Sequence, residues 1–224
     1  MVVLKQRFFV TGTDTGVGKT LVAVGLLAKA RSLGYRTAAV KPVAAGCQVT
    51  PAGLRNDDAL QLLAQCSQPL LYDQVNPVAL APPLAPHIAA AQAGRSLSVE
   101  RLAGYCRAIL WQNAHLTLIE GAGGWRVPLN SRETLADLAV LLDLPVILVV
   151  GMRLGCINHA LLTAEAIAQD GLPLAGWVVN AMAGDMLAYH DNVATLTGLL
   201  QAPLLARIPW LAHSESQTLA QQCA

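Results

Sequence analysis

Phe8-Phe9-Val10-Thr11-Gly12-Thr13-Asp14-Thr15-Gly16-Val17-Gly18-Lys19-Thr20 opens on a β-favouring apolar run, passes through a glycine-rich turn and leads into an apolar helix expected over residues 19–33. In that setting the backbone N–H groups of the turn can wrap phosphate oxygens, and the helix N-terminus adds partial positive charge. Lys19 can reach the β- and γ-phosphates, and the Thr20 hydroxyl can bind Mg²⁺. The spacing departs from the usual phosphate-binding loop, because Gly12 stands six residues before Gly18 and Thr13 occupies the place of the first glycine. A plain glycine turn capping a core helix is the alternative. It leaves Lys19 unexplained, since a lysine in the first turn opposes the helix dipole unless an anion is present.

Outward from the loop, short aliphatic runs recur at 8–11, 37–40, 116–119, 146–150, 177–179 and 204–208. They are continuous rather than alternating, which suits strands covered on both faces. Helical stretches lie between them, at 57–66, 99–111, 135–142, 158–169 and 186–200, with Gly34 and Gly171 where C-terminal caps belong. This alternation predicts an α/β fold with a doubly wound, mostly parallel sheet and helices on both faces, like that of P-loop NTPases. The proline-rich segment Asn76 to Pro86 breaks the rhythm and reads as an ordered surface loop.

The 224 residues suit one α/β domain, 1–224, and a content of 54% hydrophobic and 13% charged residues supports a large core. A net charge of +1 without like-charge blocks argues against a nucleic-acid partner. Five scattered cysteines without a Cys-x-x-Cys pair read as reduced thiols of a cytoplasmic protein. The apolar run at the N-terminus is too short for a secretory signal, and the stretch Leu138 to Val150, broken by Asp143 and Pro145, is too short to span a membrane.

A triphosphate site needs acids for its metal, from strand ends on the same edge of the sheet. Glu120 directly follows one apolar run and precedes Gly121-Ala122-Gly123-Gly124. Asp57 and Asp58 follow Asn56 at a helix start, where either could merely cap. Lys41, in Val40-Lys41-Pro42-Val43, could neutralise an anionic acceptor. The sequence has neither a His/Cys metal cluster nor a Gly-x-Ser-x-Gly elbow, so zinc chemistry and serine hydrolysis have no support.

With these residues in place, the chain resembles the dethiobiotin synthetases, ATP-dependent enzymes of the biotin pathway. The resemblance is carried by the loop at 9–20, Lys-Pro-Val-Ala at 41–44, Gly-Leu-Arg-Asn-x-Asp-Ala-Leu at 53–60, Val-Asn-Pro at 75–77 and Pro-His-Ile at 86–88. It continues through Glu-Gly-Ala-Gly-Gly-Trp at 120–125, Leu-Pro-Val-Ile-Leu-Val-Val-Gly at 144–151, Leu-Gly-Cys-Ile-Asn-His-Ala at 154–160 and Ile-Pro-Trp-Leu at 208–211. Only the tail from about Ala212 is uninformative.

The resemblance implies that carbon dioxide adds to an amine of 7,8-diaminopelargonic acid, that ATP phosphorylates the carbamate, and that the second amine closes a cyclic urea. It implies Mg²⁺ held by Thr20, Asp58 and Glu120, and nucleotide contacts from Gly16, Val17, Gly18, Lys19, Thr20, Leu21, Glu120 and Gly123. Lys19 and Lys41 would act on the transferring phosphoryl group and its acceptor, with Thr15 near the diamine and Asn180 and Pro209 near the base. A turn asparagine ending a strand is the other reading of Asn180. The resemblance further implies a homodimer in which Gly155, Cys156, Ile157 and Asn158, at a helix start, bind the substrate carboxylate in the other chain's site. Plain capping by Asn158 is the alternative. Ala45, where many members carry serine, and Gly16, where some carry a larger polar residue, imply altered affinity with retained chemistry. A corrin-precursor amide synthetase would need a glutamine-hydrolysing domain for which this chain is too short. A partitioning or septum-site ATPase would carry a lysine where Asp14 stands. A non-enzymatic nucleotide sensor remains open on sequence.

Overall fold

The computed structural model describes residues 5–210. Six strands, β1 (Gln6–Gly12), β2 (Thr37–Val40), β7 (Leu116–Glu120), β8 (Val146–Met152), β9 (Leu174–Ala181) and β10 (Leu204–Ile208), form one sheet in the order β10-β9-β8-β1-β7-β2. Every neighbouring pair in it is parallel. Parallel neighbours need crossovers, which are supplied by α1 (Lys19–Ser32), α2 (Asp57–Ala64), α5 (Val99–Leu110), α6 (Leu135–Leu142), α7 (Cys156–Gln169) and α8 (Tyr189–Leu199). Side chains alternate along β8: Ile147 and Val149 join one core body, while Leu148, Val150 and Met152 join another with α7 and α8 residues such as Ala160 and Leu196. The strand is therefore covered on both faces, as its unbroken apolar run predicts.

The chain leaves β1 for β2, returns to insert β7 between them, and then adds β8 on the other side of β1. This reversal opens a crevice at the carboxyl ends of β1, β7 and β8, where doubly wound sheets bind ligands. Among the described residues, no helix is long and apolar enough to cross a membrane.

The sequence-based reading needs four corrections. Asn76 to Pro86 is ordered but is not a surface loop throughout: β6 (Val78–Ala79) pairs with β3 (Val43–Ala44), Leu80 is buried, and Pro86 opens α4 (Pro86–Gln92). Between its prolines the segment keeps enough N–H groups to pair, and proline is well tolerated in the first helical turn. A hairpin of β4 (Gln48–Thr50) and β5 (Gly53–Arg55) and the single turn α3 (Tyr72–Val75) are additional, each too short to register as periodicity. Helix α7 begins at Cys156, with Gly155 at φ 92° as N-cap, so Asn158 lies inside the helix and does not cap it. Helix α8 begins at Tyr189 rather than Met186, because Ala188 takes a left-handed φ of 51° that ordinary helix cannot contain.

Candidate active site

The glycine loop is seated on the sheet before any ligand is considered. Thr13 N–H donates to the Val149 carbonyl at 2.9 Å, tying the loop to β8. Val17, the loop's one aliphatic side chain, is buried, and a Cβ at Gly12 would come within 2.5 Å of it, one at Gly151 within 2.8 Å. Asn180, at the end of β9, donates from Nδ2 to the Val17 carbonyl at 2.9 Å. Gly18, the N-cap of α1, has φ +90°, and a Cβ there would lie 2.3 Å from the same Nδ2.

Gly18→Ala therefore meets a left-handed strain and a collision together, and is expected to weaken nucleotide binding at least about tenfold, from a backbone cost of roughly 1–3 kcal/mol. Asn180→Ala loses only the supporting bond, worth about 1 kcal/mol. Because both act at one contact, the double variant should bind better than the sum of the two losses predicts. Simple additivity in calorimetric titrations would remove the collision as the cause.

Around the loop lies a cavity of about 1370 Å³, to which Thr15, Gly16, Gly18, Lys19, Thr20 and Leu21 contribute from one side. Lys41 from the end of β2, Asp58 from the first turn of α2, Glu120 from the end of β7 and Gly123 complete the charged and glycine-rich walls. Asn56 caps α2, its side chain accepting from Ala59 N–H at 3.2 Å, while Asp58 faces Lys41. Of the two acids there, Asp58 is thus the one with a role beyond the helix start.

The polar groups converge tightly. Lys41 Nζ donates to Glu120 Oε1 at 2.6 Å and to Asp58 Oδ2 at 2.7 Å. Thr20 Oγ1 donates to the same Glu120 Oε1 at 2.8 Å. Lys19 Nζ closes the loop by donating to the Asp14 carbonyl at 3.1 Å. Burial pushes the Lys19 ammonium down to about 8, with Glu120 partly opposing. Burial also works against the Lys41 charge, but Glu120 and Asp58 outweigh it and hold Lys41 above the ordinary lysine value. For Asp58, burial raises the pKa, yet the Lys41 charge and hydrogen bond bring it below the usual carboxylate value.

Glu120 Oε2 is buried and has no hydrogen-bond partner. A buried carboxylate oxygen without a partner is costly, and beside a Thr hydroxyl and a second carboxylate it matches the oxygen donor set that Mg²⁺ takes. The residues present therefore fit a magnesium ion held by Thr20, Asp58 and Glu120.

Two residues that sequence reasoning passed over position this cluster. Asn76 Nδ2 donates to the Lys41 carbonyl at 2.7 Å, and Lys41 N–H donates to the Val75 carbonyl at 2.7 Å. Tyr72 Oη donates to Asn76 Oδ1 at 3.0 Å and accepts from Asn56 N–H at 2.8 Å. The backbones that carry Lys41 and Asp58 are thereby joined through one chain of hydrogen bonds, buried at Asn76 and partly so at Asn56. Val-Asn-Pro at 75–77 was the only signal for it. On the other side, Trp125 Nε1 donates to Asp170 Oδ2 at 2.7 Å and Arg126 pairs with Asp170 at 2.9 Å, fixing the chain just after the glycines of 121–124.

Other expected site residues lie elsewhere. Val17 faces the core, Asn180 sits beneath the loop, and Pro209 is exposed. Gly155, Cys156, Ile157 and Asn158 do not line this cavity. Asp14 pairs with Arg153 from the β8–α7 connection. Four free cysteines are described, while Cys223 and the tail from Ala212 fall outside the described residues.

The chain is similar to known proteins over nearly its whole length. A family model described as an AAA domain matches residues 6–218. The ATP-dependent dethiobiotin synthetase BioD of Cellvibrio japonicus (strain Ueda107) is 63% identical over 212 residues, covering 95% of this chain and 92% of that protein. The chain belongs to the ATP-dependent dethiobiotin synthetase family. The dethiobiotin synthetase of Pseudomonas aeruginosa (strain UCBPP-PA14) is 59% identical, covering 95% of this chain and 93% of that protein. Among solved structures, a ParA family ATPase from Chlorobium tepidum TLS aligns with TM-score 0.57 at 14% identity, over 97% of this chain and 90% of that one. The septum site-determining protein MinD of Pyrococcus horikoshii OT3, complexed with Mg-ADP, aligns with TM-score 0.56 at 18% identity, over 96% of this chain and 86% of that one. These two show that the dethiobiotin synthetase family shares its fold with such ATPases, and no more than the fold.

Proposed function

We propose that this chain makes dethiobiotin from 7,8-diaminopelargonic acid and carbon dioxide at the expense of ATP. The observation that carries the reading is the meeting of Lys19, Thr20, Lys41, Asp58 and Glu120 in one cavity whose described lining contains no Ser, Cys or His. Such an inventory of cations, acids and loop amides suits direct transfer of a phosphoryl group to a bound acceptor, by positioning and charge neutralisation.

In the first step an amine of the substrate adds to carbon dioxide and loses a proton, giving a carbamate. A carbamate oxygen then bonds to the γ-phosphorus as the bond to the β–γ bridging oxygen breaks, releasing ADP. The second amine attacks the carbamoyl carbon, loses its proton, and expels phosphate as the urea ring closes. Lys19 and the loop amides bind the β- and γ-phosphates and follow the charge that builds on the transferring group. Lys41 offsets the carbamate charge, and Thr15 lies at the acceptor side. Ala45, Leu84 and Val127 give the cavity an apolar wall suited to an aliphatic chain. Mg²⁺, held by Thr20, Asp58 and Glu120, would neutralise phosphate charge. Asn180 and Pro209, outside the cavity lining but at the paired ends of β9 and β10, would contact the base.

Phosphate release from ATP measured with bicarbonate, with and without the diamine, tests the activity. Release that requires the diamine is expected, and diamine-independent hydrolysis would reassign the chain to the ATPases with which it shares a fold.

The carboxylate of the substrate is taken by the start of α7 of a second copy, in a two-fold dimer working in the cytoplasm without membrane or nucleic-acid partners. Support comes from the distance between sequence expectation and cavity: the start of α7 presents free N–H groups yet lines no part of this chain's own cavity. Cys156 is 1% exposed, so replacing it would test packing, whereas Asn158 is exposed. Asn158→Trp is expected to weaken diamine affinity about tenfold or more while ATP affinity is retained. A fully active monomer in sedimentation at assay concentration would exclude the shared site.

A further inference from the structure

Lys41 holds one oxygen of each carboxylate that a metal would use, leaving Glu120 Oε2 without a partner. Its ammonium takes Asp58 Oδ2 and Glu120 Oε1, and Thr20 donates to the latter oxygen as well. All three groups of the donor set are thus engaged with Lys41 or share an acceptor with it. The side chain of Lys41 is 6% exposed and that of Glu120 is 1% exposed, so little water screens that pair, while Asp58 at 44% stands at the open side. A divalent cation on these carboxylates would stand close to the Lys41 ammonium, and the two cations repel most strongly on the buried Glu120 side, where screening is weakest. The main chain of Lys41 is held on both its N–H and its carbonyl by Val75 and Asn76, which leaves the side-chain torsions as the part that moves.

We propose that Lys41 is a displaceable counter-ion, holding Asp58 and Glu120 together until a divalent cation takes those carboxylates and then turning to the anionic acceptor. This rests on the metal and acceptor reading above. Its consequence is a binding order built into the site. An ammonium freed in a water-poor cavity requires a new anion, which a carbamate supplies and a neutral amine does not. Metal and acceptor then strengthen each other's binding by the same factor, as linkage requires.

Mn²⁺ binding in the presence of ADP, followed by electron paramagnetic resonance and calorimetry so that no turnover occurs, gives the test. In the wild type, adding the diamine with bicarbonate is expected to tighten Mn²⁺ about tenfold, within the usual range of coupling between sites. Lys41→Met should bind Mn²⁺ about tenfold tighter from the outset and show no further gain with the diamine and bicarbonate. A crystal structure of the wild type with Mn²⁺ and ADP is expected to show Lys41 Nζ released from both carboxylates. Mn²⁺ bound with Lys41 still on both carboxylates overturns the inference and leaves the metal site standing, and so does an unchanged affinity in Lys41→Met. Absence of Mn²⁺ from the cavity of both proteins overturns the metal reading itself. Should Lys41→Met fail to fold, the wild-type structure and the wild-type coupling decide by themselves.

Discussion

Lys19→Met is expected to abolish turnover and to make the ligand-free protein more stable. Loss of one cation aimed at a transferring phosphoryl group costs on the order of 3 kcal/mol, or about a hundredfold in rate. Stability moves the other way because Lys19 is 7% exposed and carries a charge that burial disfavours, holding its pKa at about 8 against 10.5 for a free lysine. The folded-state value lies below the unfolded one, so between about pH 8 and 10.5 the unfolded chain binds more protons, and the penalty fades as pH rises through that window. The full penalty is present below pH 8 and amounts to at most about 3.5 kcal/mol at 1.36 kcal/mol per pKa unit. The gain in Lys19→Met should be on the order of 1–3 kcal/mol, at about 2–4 °C of Tm per kcal/mol for a chain of this size. Calorimetric melts at pH 7 and pH 10 check it: a gain that persists undiminished at pH 10 would trace it to packing. The same depressed pKa predicts that wild-type ATP affinity falls as pH rises through about 8, since the anion prefers the protonated lysine.

Glu120→Gln is expected to be the most damaging single change to fold and metal together. The substitution leaves Lys41, at 6% side-chain exposure, with Asp58 as its remaining carboxylate, and Asp58 is itself 44% exposed. Breaking a buried pair from one side typically costs 3–5 kcal/mol, and the surviving Asp58 contact should hold the loss to about 2–3 kcal/mol. Asp58→Asn should cost less than 1 kcal/mol, because solvent screens its half of the interaction. Both should raise the Mg²⁺ concentration needed for half-maximal activity by about tenfold or more, since each removes one carboxylate charge from the donor set. Chemical denaturation separates the two roles. Equal stability losses in both variants would show that burial of Glu120 does not set the cost, and unchanged Mg²⁺ titrations would return both acids to purely structural positions.

The strands were legible because their chemistry is local and repetitive. β2 and β10, and helix α6, have the bounds that their apolar runs predict. What escaped reading was short or set by one dihedral angle. A two-residue pair such as β3 with β6 carries no period, and the starts of α7 and α8 depend on single left-handed residues, Gly155 and Ala188. The site divides in the same way. Lys19, Thr20, Lys41, Asp58 and Glu120 announce themselves by charge at loop and strand ends, and the structure brings all five together. Tyr72 and Asn76 act through main-chain groups up to 35 residues away, and no spacing rule reaches that far. Asn180 could be read as a strand end, but its place beneath Gly18 depends on pairing that only the sheet order reveals.

The seating of Val17 between Gly12 and Gly151 bears on the thermodynamics of nucleotide capture. A loop anchored by an apolar side chain in the protein's own core is ordered in advance, so a nucleotide does not bear the entropy of arranging it. Binding should then bury little apolar surface beyond the nucleotide itself and show a small negative heat-capacity change, in contrast to loops that fold around their ligand. Trimming Val17 to alanine would convert the first kind of loop into the second: the loss of affinity would appear as a larger entropic penalty rather than a weaker heat of binding.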